Sequence, residues 1–340
     1  MKQRGFSLII LLVAVAILAA GGYFFLWPKI KGMIEPKTQK VYNIGVLSGL
    51  GFLADTTDGF KVKMTELGYI EGKDIFYDIQ KTEFDMTAYR SIVKKFVADK
   101  VDLIFVFPTE ASQEAKSAVQ GTSIPVVFAN AFTEDTNLVA SIREPGGNIT
   151  GVRWAGPDIA LQHFEIMREL VPNAKKMWVP YQKGYPIVKS QLEALRPAFE
   201  KAGITLTEVP ADNAKELEAS FKENAKSGIP DAILMIPEPL CVTPDPFMVI
   251  AKFASEHNIP LGGTLVSAGG YNTVFGVIPR GISVGKQAAI LADKVLKGTP
   301  AGTIPVVSAE SYFQLNYKEA KRLRLNVSEA LLNRAHEVIR

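Results

Sequence analysis

The sequence predicts an α/β chain made of two successive doubly wound lobes with parallel sheets. Three observations carry this reading. Apolar runs of strand length alternate with amphipathic runs of helix length, some strand runs such as Leu103-Ile104-Phe105-Val106-Phe107 are apolar throughout, and the whole order of elements occurs twice. The continuous runs point to strands covered on both faces, which is the environment of a parallel sheet between helices. A chain of 340 residues with 47% hydrophobic and 21% charged residues has the apolar content for two ordinary domains and excludes a disordered chain.

In the first lobe, strands are predicted at 43–47, 75–79, 103–107 and 125–128, separated by helical patterns at 58–67, 87–98 and 110–119. The second lobe repeats the order, with strands at 176–181, 204–209, 232–236 and 261–263 and helices at 188–201, 214–226 and 246–256. The repetition extends to detail. Glu66-Leu67-Gly68 closes the first helix of one half and Lys201-Ala202-Gly203 closes its counterpart, each with a glycine suited to a left-handed helix stop. Between the halves, Pro145-Gly146-Gly147-Asn148 turns into a short apolar strand suited to a crossover. A last helix at 281–298 and strand at 303–307 are too little for a further domain, so they are assigned to completing the two lobes, and the chain crosses between them more than once.

The N-terminal part is different in kind. Residues 5–27 are apolar apart from Ser7, and no charge falls between Arg4 and Lys29, which is long enough for a helix crossing roughly 30 Å of hydrocarbon. A cleaved signal peptide is the alternative, but Tyr23-Phe24-Phe25-Leu26-Trp27 prolongs the run past the small residues at which a peptidase would cut. The reading preferred is an uncleaved single-pass anchor, with Lys2 and Arg4 cytoplasmic and the body outside. The predicted division is therefore 1–31 anchor or signal segment, 32–40 linker, 41–152 with 279–307 as the N-terminal lobe, and 153–278 with 308–340 as the C-terminal lobe.

Charge and cysteine content narrow the function. Of the 38 Lys and Arg against 35 Asp and Glu, four basic residues and no acid lie in 1–31, so the body carries one acid in excess and lacks the basic face of a nucleic-acid binder. The single cysteine, Cys241, cannot form an internal disulfide and reads as a buried small apolar residue without a basic neighbour to activate it. His163, His257 and His336 form no metal pair at helical spacing and read as surface or helix-end residues. No nucleophile elbow, phosphate loop or zinc-protease motif occurs, so no catalytic residue, metal or cofactor is assigned.

Six ordered pieces carry a resemblance: Glu66-Leu67-Gly68-Tyr69-Ile70-Glu71-Gly72, Pro145-Gly146-Gly147-Asn148-Ile149-Thr150-Gly151, Glu169-Leu170-Val171-Pro172, Pro237-Glu238-Pro239-Leu240, Leu296-Lys297-Gly298 and Leu315-Asn316-Tyr317-Lys318-Glu319-Ala320. Together, over about 41–340, they resemble the tryptophan/tyrosine type of ABC transporter substrate-binding proteins. The resemblance implies a type I periplasmic-binding-protein fold with two Rossmann-like lobes, three hinge crossings and a ligand clamped between the lobes. It also implies a small-molecule ligand, an aromatic or other amino acid among the options, and ABC permease and ATPase subunits as partners of an extracytoplasmic, monomeric protein. A membrane-tethered ligand sensor is the alternative function, and a nucleotide-binding enzyme the third.

Ligands of open parallel sheets bind beyond the carboxyl ends of the strands. In the first lobe that places Ser48, Gly49, Thr109, Glu110, Asn130 and Ala131 as candidates, and in the second Tyr181, Glu238 and Thr264, with Trp154 at the hinge. Thr109 and the first-turn N–H groups of its helix suit a carboxylate, although Thr109 would serve equally as a helix cap. Asn130 offers a donor and an acceptor. Glu238 is the preferred partner for a ligand ammonium, with the rings of Trp154 and Tyr181 as alternatives. The run Gly49-Leu50-Gly51-Phe52-Leu53-Ala54 has the form of a dinucleotide-binding turn, and Asp78 stands where a ribose-binding acid could. Asp55 and Asp58 oppose that reading, because a pyrophosphate at the following helix start requires positive potential.

Overall fold

In a computed structural model, the described residues are 40–264 and 267–340. The expected anchor at 5–27 lies outside them. The body Tyr42–Arg340 holds two main sheets.

The first lobe begins with β1 (Tyr42–Ser48), a turn of 3-10 helix (Gly51–Leu53), α1 (Asp55–Glu66), β2 (Ile75–Lys81), α2 (Met86–Ala98), β3 (Leu103–Phe107), α3 (Thr109–Ala118), β4 (Val126–Phe132) and β5 (Ile149–Trp154). The second continues with α4 (Gly156–Leu170), β6 (Lys176–Gln182), α5 (Pro186–Ala202), β7 (Thr205–Ala211), α6 (Ala214–Ala225), β8 (Ala232–Leu234), α7 (Pro239–Val242), α8 (Pro244–Glu256), β9 (Leu261–Gly263), a small hairpin β10 (Ser267–Ala268) and β11 (Tyr271–Asn272), and β12 (Phe275–Pro279). The chain then returns through α9 (Gly281–Leu296) and β13 (Val307–Ser308), and ends with β14 (Ser311–Asn316), α10 (Tyr317–Arg322), α11 (Glu329–Arg334) and β15 (Glu337–Ile339).

The first sheet has the order β13-β5-β4-β3-β1-β2 and every pair in it is parallel. The second runs β15-β14-β12-β9-β8-β6-β7, with β14 antiparallel to β12. Both are covered on both faces. In the first lobe, Phe60 and Met64 of α1 with Val284 and Ala288 of α9 bury one face, while Tyr89, Phe96, Ala111 and Ala115 of α2 and α3 bury the other. In the second, Phe164, Leu192 and Phe199 pack on one side and Leu217, Phe221, Phe247 and Ile250 on the other. These buried faces are the apolar stripes that the helical periodicity marks.

The polypeptide passes between the sheets three times, after Trp154, after Pro279 and after Ser308. The second passage delivers α9 to the first lobe, where it meets α1 almost backbone to backbone. A Cβ at Gly59 would fall on the carbonyl of Ile282, and one at Gly285 on the carbonyl of Thr56, so only glycine allows this approach.

The differences from the sequence expectation have local causes. The strand expected at 303–307 is instead a 3-10 turn, Ala301–Thr303, followed by the two-residue β13. β4 runs on to Phe132 through a shift in its register with β5 between Phe128 and Ala131. His163, expected at a surface or helix end, is wholly buried on α4. Its Nδ1 and Nε2 each lie 2.9 Å from a carbonyl oxygen, those of Met235 and Val277. Burial pushes its pKa down to about 4 and outweighs the two carbonyls, which act in the opposite direction. Cys241 is buried and free, its thiol donating to the Pro180 carbonyl at 3.4 Å.

Candidate functional site

A cavity of about 240 Å³ lies at the carboxyl ends of the strands and draws its walls from both lobes. A wider depression of about 670 Å³ lies at the amino ends of β4 and β5, among the loops of Gly121 and Gly146. That is the wrong end of a parallel sheet for a ligand, and most of its lining residues lie in loops.

The first-lobe wall is built on α3, β4 and β5. α3 begins at Thr109 directly after β3, and Pro108 before it provides no side-chain cap. The first-turn N–H groups, which an α-helix cannot satisfy internally, are therefore left at the cavity edge together with the positive end of the helix dipole. The Thr109 hydroxyl accepts the Phe132 N–H at 3.1 Å and ties this helix start to β4. Asn130 is buried and has φ 48°, the left-handed region, at the register shift of β4. Its Nδ2 donates to Thr56 Oγ1 at 2.8 Å, and its Oδ1 has no partner among the described residues. Trp154 stacks edge-on against Phe132 at 5.6 Å, and its indole N–H is likewise buried without a partner there.

The second-lobe wall is largely apolar. Ile187, Pro237, Pro239 and Val242 contribute side chains without donors or acceptors. Glu238 lies at the N-terminus of α7, where Oε1 accepts the Cys241 N–H at 2.7 Å and Oε2 accepts those of Leu240 at 3.0 Å and Gln182 at 3.1 Å. Burial pushes its carboxyl above the ordinary value, against the lowering effect of those donors. Tyr185, just before α5, reaches across the cavity and donates its hydroxyl to Glu110 Oε1 at 2.6 Å. Burial raises the Tyr185 pKa and the Glu110 charge raises it further, so the phenol stays protonated as the donor.

Of the residues singled out in the sequence, Thr109, Glu110, Asn130, Trp154 and Glu238 line this cavity. Ser48, Gly49, Ala131, Tyr181 and Thr264 do not. Gly49 is set back beneath the rim, its N–H donating to the Phe107 carbonyl at 2.9 Å and its carbonyl receiving the Tyr89 hydroxyl at 2.7 Å. Ser48 and Ala131 are buried in the first lobe, and Thr264 is buried with its hydroxyl 4.0 Å from Met235 Sδ. Tyr181 turns outward and donates to Glu208 at 3.0 Å. The glycine-containing turn at 49–54 leads into α1, whose first turn carries Asp55 and Asp58, and Asp78 is engaged by Lys95 and Gln80.

The sequence reading missed the aromatic part of the wall: Phe52, Phe84, Phe132 and Tyr185. A signal was present. Phe52, Phe84 and Tyr185 occupy turns beside Gly51, Asp85 and Gly184, where polar residues are the rule, and Phe52 remains 64% exposed.

The model of the family described as ABC transporter substrate binding protein matches residues 44–339. A tyrosine-binding protein of Clostridioides difficile (strain R20291) is 29% identical over 282 residues, covering 81% of this chain and 78% of that protein. Among solved structures, an ABC domain from Streptococcus pneumonia in complex with L-Trp is 26% identical with a TM-score of 0.72, covering 87% of this chain and 100% of the other. The ligand-free, open structure of a substrate-binding protein with adhesive properties from Clostridium difficile shares the fold, at 23% identity and a TM-score of 0.71 over 88% of this chain and 99% of that one.

Proposed function

The chain belongs to the ABC transporter substrate binding protein family, and from that premise we propose that it captures an aromatic amino acid between its lobes. As a family member it acts extracytoplasmically by binding a small molecule for an ABC transporter, without catalysis on it. The observation that carries the choice of ligand is the cavity itself: aromatic and apolar walls, with an uncapped helix start at one edge. The tyrosine named for one relative and the L-Trp held by another support the same class.

The mechanism follows from the two walls. The ligand carboxylate lies at the first-turn N–H groups of α3, and the indole N–H of Trp154 offers a second donor. The ring packs among Phe132, Tyr185, Ile187 and Pro237. Removing about 200 Å² of ring surface from water contributes about 5 kcal/mol, which on its own corresponds to weak binding, so the polar ends decide affinity and selectivity. Because walls come from both lobes, the closed state binds the ligand better than the open one, and that difference drives closure. The three passages after Trp154, Pro279 and Ser308 are the proposed hinges, and closure presents a new surface to the permease.

The body acts as a monomer in this reading, since one chain supplies every wall. The stretch 5–27 tethers it as an uncleaved anchor. Among the described residues no helix is long and apolar enough to cross a membrane, so the tether depends on that stretch alone.

The test is calorimetry of the purified protein against L-tyrosine, L-tryptophan and L-phenylalanine, with L-leucine and ribose as comparisons. Binding of at least one aromatic amino acid, well above L-leucine, is expected, with compaction in solution scattering. Binding of none of the three, or a preference for ribose, overturns the assignment of ligand class.

A further inference from the structure

Two residues of the cavity wall each hold a polar atom that is buried and without a partner among the described residues, the Oδ1 of Asn130 and the Nε1 of Trp154. One is an acceptor and the other a donor. Buried polar groups in folded proteins are nearly always paired, so an orphan on a residue of a cavity wall is a candidate for pairing with the ligand.

Asn130 is held in place from every side. Its backbone is left-handed at φ 48°, a conformation that asparagine tolerates far better than a branched side chain does. It stands at the point where β4 loses register with β5, an irregularity that re-aims a side chain. Its amide nitrogen is fixed on Thr56 Oγ1, and Thr56 is itself buried against the glycines of α9. What remains is a rigid carbonyl acceptor with nothing to accept.

The two carboxylates that line the cavity, one on each wall, are already engaged. Glu238 uses both oxygens on three backbone N–H groups, and Glu110 receives the Tyr185 hydroxyl on Oε1. We propose that Asn130, and not Glu238, is the specificity-determining residue that receives the ligand ammonium, through Oδ1, while Glu110 supplies the balancing negative charge. This rests on the reading of the cavity as an amino-acid site and names the atom that reads the amine. Glu238 then belongs to the architecture of the second-lobe wall.

The experiment is calorimetry on the full chain with two matched series: L-tyrosine, tyramine and 3-(4-hydroxyphenyl)propionate, and L-tryptophan, tryptamine and indole-3-propionate. In the wild type, loss of the amine is expected to weaken binding by about 100-fold, because a buried acceptor is left unpaired. Asn130→Gly keeps the left-handed backbone and removes the amide. It is expected to weaken the amino acids about 30-fold and leave the two propionates nearly unchanged, so the preference for an amine collapses. Asn130→Asp retains an oxygen and is expected to hold or tighten the amino acids. Glu238→Gln weakens each series evenly.

A wild-type amine preference that persists in Asn130→Gly overturns the assignment, as does a preference that collapses in Glu238→Gln instead. A change that follows the carboxylate, seen with tyramine and tryptamine, also overturns it. If Asn130→Gly does not fold, Asn130→Asp decides, because loss of amino-acid binding there contradicts an oxygen acceptor. Absence of wild-type binding to both amino acids sinks the functional reading itself, a different result from binding that ignores Asn130.

Discussion

The two lobes share an order of elements but meet the cavity in opposite ways. The first lobe presents groups without partners among the described residues: an uncapped helix start, the Oδ1 acceptor of Asn130 and the indole donor of Trp154. The second presents Ile187, Pro237, Pro239 and Val242 around Glu238, whose oxygens are already in use. The comparison teaches that a duplicated architecture need not duplicate its chemistry. In the proposed reading one lobe recognises the ligand, and the other covers it. Covering matters energetically because the first-lobe donors gain strength when water is excluded from them.

Glu238→Ala breaks the comparison most severely if it is mistaken. Removing this carboxylate leaves the N–H groups of Gln182, Leu240 and Cys241 buried without acceptors, at a cost of about 1 kcal/mol or more each. A loss of about 4 kcal/mol in unfolding stability is expected by urea denaturation. Should the variant instead keep its stability and lose only ligand affinity, the second lobe recognises after all.

Acid provides the next largest contrast. His163 is buried in the second lobe with its pKa pushed down to about 4 from the ordinary 6.5. Between these values the unfolded chain binds the proton and the folded chain does not, so stability is full above pH 6.5 and declines as pH falls toward 4. The decline from this group amounts to about 3 kcal/mol. His163→Gln removes the titration, so the gap in melting temperature between pH 7.5 and pH 4.5 is expected to narrow. An unchanged gap would place the acid weakness elsewhere.

How far these features could be read from sequence depends on what each requires. Most of the parallel strands were legible because burial on both faces leaves an apolar run, as at 103–107, where the expected and observed bounds coincide. β12, β14 and β15 were not: β14 and β15 are partly exposed toward the sheet edge and leave no continuous apolar run, and the run at 275–279 went unused. Thr109, Glu110 and Asn130 were reachable from the rule that ligands sit beyond strand ends, but the same rule also gave Ser48, which is buried, and Gly49, which the Phe107 carbonyl and Tyr89 hold below the rim. Only the fold shows how far each loop projects. His163 carried a signal that went unused: Ile159, Ala160, His163, Phe164, Met167 and Leu170 form one helical stripe, and the structure buries all of it.

The smallest expected effect bears on how the lobes act together. Tyr185 of the second lobe donates to Glu110 of the first at 2.6 Å, a bond that joins the two walls. If it supports closure, Tyr185→Phe lowers the closed-state population and weakens an aromatic amino acid by roughly five-fold, about 1 kcal/mol, mostly through faster release. If instead Glu110 must leave Tyr185 in order to balance the ligand ammonium, the bond competes with the ligand and the same variant binds more tightly. The phenylalanine keeps the ring in the wall, so only the hydroxyl is tested. Calorimetry gives the sign, and scattering of the ligand-free variant separates the cases, since a supporting bond predicts a more open average shape than the wild type.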